Sequence, residues 1–176
     1  RKSSMSMMGR SRSILARKVG HGLLSGLVPQ NCPETREEFE KTGMKRKVLV
    51  VDDDVHMRNF VVTLLETSDF EALAADGGAK GLELAKQHKP TLVVMDVLMP
   101  GDGGMELYRK LRGDPELKDI PIVIVSAVAR KTFVHSQSLL NQYRGEQIPE
   151  PAGYIEKPPE PEELLKEIHC ALGESV

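Results

Sequence analysis

Four short apolar runs of this chain each lead into a side chain that can take part in ionic or covalent chemistry. One run ends in two adjacent carboxylates, the second in a single carboxylate, the third in a hydroxyl group, and the fourth leads to an ammonium group. The residues are Asp52 with Asp53, Asp96, Ser126 and Lys157. Carboxylates held close together raise one another's pKa unless a cation lies among them. If these residues meet, they form a site for a cation beside a lysine.

The three aspartates predict a Mg²⁺ site. Mg²⁺ keeps several of its waters and binds through one or two carboxylates together with phosphate oxygens. Asp53 and Asp96 are the expected direct ligands, with Asp52 joined through a water molecule. The alternative is that these are solvated loop acids, which is the usual role of a single aspartate at the end of a strand. A set of three in this arrangement favours the metal site.

The apolar runs themselves predict buried parallel strands. Short runs that are apolar on both faces are typical of such strands. In an open parallel sheet, the site lies outside the carboxyl ends of the strands, which is where the charged residues fall. The predicted strands are VLVV at 48–51, the run at 70–75, TLVVM at 91–95, IVIV at 122–125 and AGYI at 152–155.

Helical patterns alternate with these strands, which indicates an α/β fold with a parallel sheet. An apolar stripe with the helical period predicts the first helix over 55–67, and Pro161 suits the first turn of the last helix, which should stop at Gly173. Further helices are predicted at 77–87, near 105–111 and after 130. The expected buried faces are Met57, Phe60, Val61, Leu64 and Leu65 in the first helix, Phe133, Val134 and Leu140 in the fourth, and Leu164, Leu165, Ile168 and Leu172 in the last.

Four motifs in this order resemble the receiver domain of bacterial two-component response regulators, over roughly residues 44–174. They are VLVVDDD, VVMDVLMPGDGG, IVIVSA and GYIEKPP. The resemblance implies a doubly wound, five-stranded parallel sheet with the flavodoxin-like strand order 2-1-3-4-5 and five helices. It also implies a CheY-like signalling protein that is phosphorylated, and not an enzyme that turns over a free substrate.

The resemblance assigns a role to each residue of the site. Asp96 is the expected phosphoacceptor, because an aspartate carboxylate can attack phosphorus and form an acyl phosphate. Lys157 and Ser126 then stabilise the charge on the transferred phosphoryl group, and the backbone carbonyl of Leu98 adds a ligand to Mg²⁺. Ser126 and Tyr154 match the family's switch pair, in which the hydroxyl moves toward the phosphoryl group and the aromatic ring rotates inward. In this family the peptide bond between Lys157 and the following proline is cis.

Two further positions bear on how long the phosphorylated form lasts. In this family the residues two positions after the acceptor and two after the switch hydroxyl flank the path of the hydrolytic water. Here they are Leu98 and Val128, and neither side chain can hydrogen-bond a water molecule. The sequence therefore predicts a phosphoform that decays slowly without help.

The segment between Ser126 and Lys157 is longer than the family pattern. Lys157 lies 31 positions after Ser126, which is about nine more than in a compact receiver, and loops tolerate such insertions at small entropic cost. The insertion at about 130–152 predicts a longer fourth helix and a rigid loop. Receivers bind partners or form dimers through the fourth helix, fifth strand and fifth helix. The insertion therefore either sets the choice of partner or is a tolerated surface excursion.

Composition limits the remaining alternatives. The chain has 176 residues and a net charge of −2, with eight Lys or Arg and four Glu in residues 1–43, so residues 44–176 carry −6. The part from 44 to 176 is expected to be one acidic receiver domain that binds no nucleic acid and no membrane, with no output domain after it. Cys32 and Cys170 do not suggest a disulfide framework, which favours a reduced, cytoplasmic setting. Residues 1–43 are a basic arm, a disordered extension, or sequence foreign to the natural protein, since Met44 resembles a natural start.

Three functional hypotheses follow. The leading one is a stand-alone response regulator that takes a phosphoryl group on Asp96 from a histidine kinase or phosphotransfer protein, with Mg²⁺, and signals to a downstream protein. The second is an interaction scaffold that keeps the fold but uses no phosphate, which the complete set of site residues argues against. The third is a metal-dependent phosphohydrolase. It would need an acid two residues after Asp96, where Leu98 stands.

Overall fold

The computed structural model describes residues 44–100, 103–145 and 147–174, so the predictions for residues 1–43 lie outside the described residues. Five parallel strands in this part of the chain form one sheet with the order β2-β1-β3-β4-β5. This confirms the predicted doubly wound arrangement, because the chain proceeds from β1 to one side and then returns to the other. The strands are β1 Arg46–Val51, β2 Phe70–Ala75, β3 Leu92–Met95, β4 Ile122–Ser126 and β5 Gly153–Glu156.

Helices follow each of the five strands. They are α1 Val55–Thr67, α2 Gly78–His88, α3 Gly103–Gly113, α4 Arg130–Arg144 and α5 Pro161–Ala171. The bounds of α1 agree with the predicted 55–67. Asp54 is the N-cap residue, so it determines where the helix begins. The Asp54 carboxylate accepts hydrogen bonds from the backbone N–H of His56 at 2.8 Å and of Met57 at 3.3 Å, which satisfies donors that the first turn leaves open. No helix in the described part of the chain is both long and apolar enough to cross a membrane.

Alternate strand residues point to opposite faces of the sheet, and each face is covered by its own helices. On one face, Val61 and Leu65 of α1 and Leu164 and Ile168 of α5 pack on the sheet; we call this the α1/α5 layer. Its sheet residues are Val48, Val50, Leu92, Val94, Val123, Val125 and Ile155, with Phe70 beside them. On the other face lies the α2–α4 layer. Its helix residues are Ala85, Leu107, Tyr108, Leu111 and Phe133, and its sheet residues are Leu49, Val51, Ala75, Val93, Met95, Ile122 and Ile124.

Three of the predicted helix faces differ in detail from the structure. Phe60 of α1 is 37% exposed, so the α1 stripe is narrower than its sequence suggests. In α5, Leu164 and Ile168 are fully buried while Leu165 and Leu172 lie at the edge of the layer. In α4, Leu140 is only partly buried, and Gln137 is buried beside Phe133. A glutamine can occupy this place because its side-chain amide nitrogen donates to the carbonyls of Ile148 and Pro149, which compensates in part for burying a polar group.

Candidate functional site

The residues that end the strands meet at the carboxyl edge of the sheet. Asp52 follows β1, Asp96 follows β3, Ser126 is the last residue of β4 and Lys157 follows β5. Backbone hydrogen bonds align neighbouring strand ends: the N–H of Asp96 donates to the carbonyl of Val51 at 3.0 Å, and the N–H of Lys157 donates to the carbonyl of Ser126 at 2.9 Å. The sheet therefore brings together four residues that are far apart in the sequence.

Lys157 bridges two of the aspartates. Its ammonium group donates to Asp52 Oδ2 at 2.8 Å and to Asp96 Oδ2 at 2.7 Å. Both carboxylates are only 4% exposed, and a buried charge is tolerated when it is paired and hydrogen-bonded. The peptide bond from Lys157 to Pro158 is cis, as the resemblance implied.

The other oxygen of Asp96 is held by two neutral donors. The Ser126 hydroxyl donates to Asp96 Oδ1 at 2.6 Å, and the backbone N–H of Leu98 donates to the same oxygen at 2.8 Å. Ser126 is fully buried, so its hydroxyl is directed at the carboxylate within the protein. Asp96 is thus oriented by a hydroxyl, an amide and an ammonium group.

Asp52 lies next to Asp96, and its surroundings favour the charged form of its carboxylate less than water does. Burial raises the pKa of Asp52 above its ordinary value, and hydrogen bonds from Lys157 and from the N–H of Asp54, the latter at 2.9 Å, oppose this rise only in part. The negative charge of Asp96 raises it further. A second cation near Asp52 would therefore stabilise the charged form.

Lys157 supplies a permanent positive charge to the site. Burial alone would lower its pKa, but the hydrogen bonds to Asp52 and Asp96 and the charges of both carboxylates outweigh burial and raise the pKa above the ordinary value of 10.5. Its ammonium form is therefore the stable one at neutral pH.

A metal ion fits the three aspartates. Asp52, Asp53 and Asp96 each offer a carboxylate oxygen, and these oxygens lie within 4.8 Å of one another. Three carboxylates beside one ammonium group leave two negative charges, which a divalent cation neutralises. Asp53 is exposed while the other two are buried, so a bound ion would keep contact with water. Mg²⁺ favours such a site because it retains several waters.

Two residues that position the backbone of the site were not identified from the sequence. The Arg58 guanidinium on α1 donates to the backbone carbonyl of Asp52 at 2.6 Å. Side chains on a helix lean toward its N-terminus, so an arginine in the second turn of α1 could have been expected to reach this loop. Gly104 packs against the backbone after β3: a Cβ there would lie 2.1 Å from the carbonyl oxygen of Asp96 and 2.4 Å from the Cα of Val97. Only glycine allows this approach.

The predicted switch pair lies on either side of one loop. The Tyr154 hydroxyl donates to the carbonyl of Val128 at 2.7 Å, while the Ser126 hydroxyl points away from it to Asp96. Burial raises the pKa of the Tyr154 hydroxyl most, the charges of Glu156 and Asp96 add to the rise, and the pKa reaches about 12. The hydroxyl therefore keeps its proton. The Tyr154 ring lies 5.4 Å from that of Phe133. Tyr154 is therefore turned inward, toward α4.

The two residues expected to affect the lifetime of the phosphoform flank the same site. Leu98 has a side chain that is 55% exposed, and Val128 is half-buried against the α2–α4 layer. The backbone N–H of Leu98 contacts Asp96, and that of Val128 lies 3.5 Å from the Ser126 hydroxyl oxygen. Their effect on hydrolysis, and the role of the Leu98 carbonyl as a metal ligand, stay predictions.

Comparison with known proteins agrees with this geometry. The family model described as "Response regulator receiver domain" matches residues 48–169. Protein PilH of Pseudomonas aeruginosa is 32% identical over 127 residues, covering 72% of this chain and 98% of PilH. The polar-differentiation response regulator DivK of Brucella anthropi is 34% identical over 88 residues, covering 50% of this chain and 72% of DivK.

Solved structures show the same fold. The chemotaxis protein CheY4 of Vibrio cholerae superimposes with a TM-score of 0.60 at 26% identity, covering 72% of this chain and 98% of CheY4. A sensor protein from Polaromonas sp. JS666 gives a TM-score of 0.63 at 26% identity, covering 73% of this chain and 96% of that one. Together with the match of the family model, these similarities show that the chain belongs to the response regulator receiver family.

Proposed function

We propose that this protein accepts a phosphoryl group on Asp96 from the phosphohistidine of a histidine kinase or phosphotransfer protein, and that it signals through a protein-binding face. Membership of the receiver family supports phosphoacceptor signalling in place of turnover of a free substrate. The observation that carries the proposal is the position of Lys157, whose ammonium group contacts the carboxylates of both Asp52 and Asp96.

The transfer step uses the donors that already surround Asp96. A carboxylate oxygen of Asp96 forms a bond to phosphorus while the phosphorus–nitrogen bond of the phosphohistidine breaks, and the electron pair of that bond stays on the imidazole nitrogen, which takes up a proton. Negative charge spreads over the phosphoryl oxygens during the transfer. Lys157 and Ser126 are placed to stabilise this charge, because each already lies within 2.7 Å of an Asp96 oxygen.

Asp52, Asp53 and Asp96 would hold the Mg²⁺, with the Leu98 carbonyl as a further ligand. When bound, the ion neutralises charge on the phosphoryl oxygens and on the carboxylates. Within the protein, Arg58 and the capped start of α1 hold the Asp52–Asp53 loop. These contacts help to hold Asp52 and Asp53 close to Asp96.

The phosphorylated form would act through a downstream protein. The family's face of α4, β5 and α5 is the expected binding or homodimer surface, and the insertion at about 130–152 lies on it. We further propose that residues 44–176 act as the receiver domain without help from residues 1–43, in the cytoplasm. Because Leu98 and Val128 offer no hydrogen bond to water, we expect self-dephosphorylation to be slow.

The test is binding of a phosphoryl analogue. The protein is titrated with beryllofluoride in the presence of Mg²⁺ and followed by amide NMR, with Asp96→Ala as the matched variant. We expect shifts at Asp53, Ser126 and Tyr154 that need both Mg²⁺ and Asp96. Acetyl phosphate should then give a mass increase of one phosphoryl group in the wild type alone. An unchanged spectrum at saturating Mg²⁺ would instead support a phosphate-independent scaffold.

A further inference from the structure

Three aromatic rings form a continuous path away from the site. Tyr154 of β5 contacts Phe133 of α4, with ring centroids 5.4 Å apart, and Phe133 contacts Tyr108 of α3 edge to face at 5.9 Å and 84°. Aromatic pairs prefer such tilted and edge-to-face arrangements. The path begins at the inward-turned ring of the proposed switch pair and ends on a different helix.

The far end of this path is attached to the loop between α4 and β5. The Tyr108 hydroxyl donates to the carbonyl of Pro149 at 2.7 Å. The amide of Gln137 donates to the same carbonyl at 2.7 Å and to the carbonyl of Ile148 at 3.0 Å, and the amide of Asn141 also donates to Ile148 at 3.0 Å. Residues 147–152 have no regular secondary structure, so these side-chain hydrogen bonds help to hold this part of the loop in place.

Phe133, Tyr108 and Gln137 are almost completely buried, so a displacement of one of these side chains is expected to move its neighbours. Phe133 is 2% exposed, Tyr108 is fully buried and Gln137 is 3% exposed. A close-packed interior transmits displacement because it contains few voids. If the Tyr154 ring turns outward, Phe133 loses the contact on one side. Because Gln137 lies one helical turn after Phe133 on α4, a shift of Phe133 also moves the amide that holds the loop.

The loop is therefore joined to the site by side chains from three elements. We propose that the segment Gln147–Pro151 is the part of the surface whose conformation follows the phosphorylation state, and that Phe133 and Tyr108 convey the position of Tyr154 to the Pro149 carbonyl. This rests on the proposed function, since it requires that phosphorylation of Asp96 sets the position of Tyr154.

The direction of the proposed change follows from the switch that the resemblance to the receiver family implies. Ser126 is bonded to Asp96 and Tyr154 is turned inward against Phe133, which is the arrangement expected for the phosphorylated form. In this arrangement the Pro149 carbonyl accepts two hydrogen bonds. Phosphorylation should therefore fasten the segment to α3 and α4, and loss of the phosphoryl group should release it.

The experiment is NMR of the protein with Mg²⁺, with and without beryllofluoride. The Glu150 amide nitrogen belongs to the same peptide group as the Pro149 carbonyl, and the Ile148 methyl groups pack against the α2–α4 layer, so both report on the segment. In the wild type we expect Ile148, Glu150 and the Gln137 side-chain amide to shift together with Ser126.

Tyr108→Phe removes one of the two donors to Pro149 and keeps the ring. We expect the Ser126 shift to remain and the Glu150 shift to be smaller than in the wild type, because the Pro149 carbonyl then keeps only the Gln137 donor. Tyr143→Phe is the matched control: Tyr143 on α4 is 89% exposed, so the same loss of a hydroxyl there should leave every shift as in the wild type.

Phe133→Leu provides a second variant that keeps an apolar side chain but removes both ring contacts. In this variant we also expect the Ser126 amide to shift with beryllofluoride while the Glu150 amide shifts less than in the wild type. The inference is overturned if Ser126 shifts while Ile148 and Glu150 do not, or if both variants respond like the wild type at Glu150. Absence of any Ser126 shift in the wild type would overturn the proposed function, and this inference with it.

Discussion

The two helical layers bury opposite faces of one sheet with different kinds of side chain. The α1/α5 layer consists of valine, leucine and isoleucine, with Phe70 as its only buried aromatic residue among the described residues. The α2–α4 layer contains Tyr108 and Phe133, with Tyr154 packed against them. Aliphatic contacts are individually weak and undirected, whereas aromatic pairs and tyrosine hydroxyls favour particular geometries. The comparison suggests that one layer mainly stabilises the fold and that the other also responds to the site.

The largest effect on stability is expected in the α1/α5 layer. Ile168→Ala removes a fully buried side chain and should lower the free energy of unfolding by about 2–5 kcal/mol. Urea denaturation measures this loss, with Ile168→Val as a smaller truncation that should cost less. If the layers differ as proposed, the folded variant still shows the Ile148 shift with beryllofluoride. Loss of that shift in a folded Ile168→Ala protein would contradict the comparison.

A substitution in α3 should affect both stability and the site. Gly104→Ala places a methyl group against the backbone carbonyl of Asp96, and such overpacking costs about 1–3 kcal/mol. We expect lower stability together with weaker Mg²⁺ binding, measured by titration of the Asp53 amide shift. Gly113→Ala is the matched control, because a Cβ at that end of the same helix meets nothing within 4 Å. Equal Mg²⁺ affinity in the two variants would show that Gly104 does not position Asp96.

A substitution at the strand ends should change the lifetime of the phosphoform without changing the packing of either helical layer. Leu98→Asn introduces an amide that can hydrogen-bond the hydrolytic water, and one hydrogen bond of about 1 kcal/mol corresponds to several-fold faster loss of the phosphoryl group. The decay of the acetyl-phosphate-labelled protein measures this rate by mass spectrometry. Leu139→Asn is a control of similar exposure, at 53% against 55% for Leu98. An unchanged phosphoform lifetime in Leu98→Asn would remove Leu98 from the account of hydrolysis.

The smallest effect is expected at the edge of the α1/α5 layer, where Glu174 bonds to Arg46 and His169. Burial opposes ionisation of Glu174, but the bonds from His169 and Arg46 prevail and lower its pKa below the ordinary 4.5. The carboxylate therefore stabilises the fold above pH 4.5 and loses this effect as the pH falls through the lowered pKa.

Glu174→Gln tests this pH dependence. At neutral pH the variant should be less stable by no more than about 1 kcal/mol, as for other ion pairs near the surface. The difference in thermal midpoint should shrink as the pH is lowered below 4.5. Glu71→Gln, which changes a more exposed pair with Lys47 at 3.8 Å, should show a smaller difference. A constant difference across the pH range would exclude the charge of Glu174 as the cause.

Local patterns in the sequence predicted the strands and the meeting of the site residues at their ends, whereas the order of the strands was implied by the resemblance to the receiver family. Asp52, Asp96 and Ser126 each end an apolar run, and the ends of parallel strands meet at one edge. The capping residue Asp54 marks the start of α1 in the same local way. These signals need no knowledge of distant contacts.

The path through Tyr108 and Gln137 could not be predicted in this way. Tyr108 bonds to a carbonyl 41 positions away, and its place in α3 shows only an apolar helical residue. Glutamine is usually a surface residue, yet Gln137 is buried. It can be buried because carbonyl groups of the loop accept hydrogen bonds from its side-chain amide. Such contacts depend on how an irregular loop folds back, and hydrophobic periodicity does not describe loops.

The bridge made by Lys157 also bears on how the protein folds. Lys157 lies 105 positions from Asp52 and 61 positions from Asp96, and proteins rich in contacts of such long sequence separation fold more slowly. Until β5 joins the sheet, the aspartates at the strand ends repel one another without the ammonium group between them. A chain in which β5 has not yet docked therefore lacks a complete acceptor site, so phosphorylation would be restricted to molecules that have finished folding.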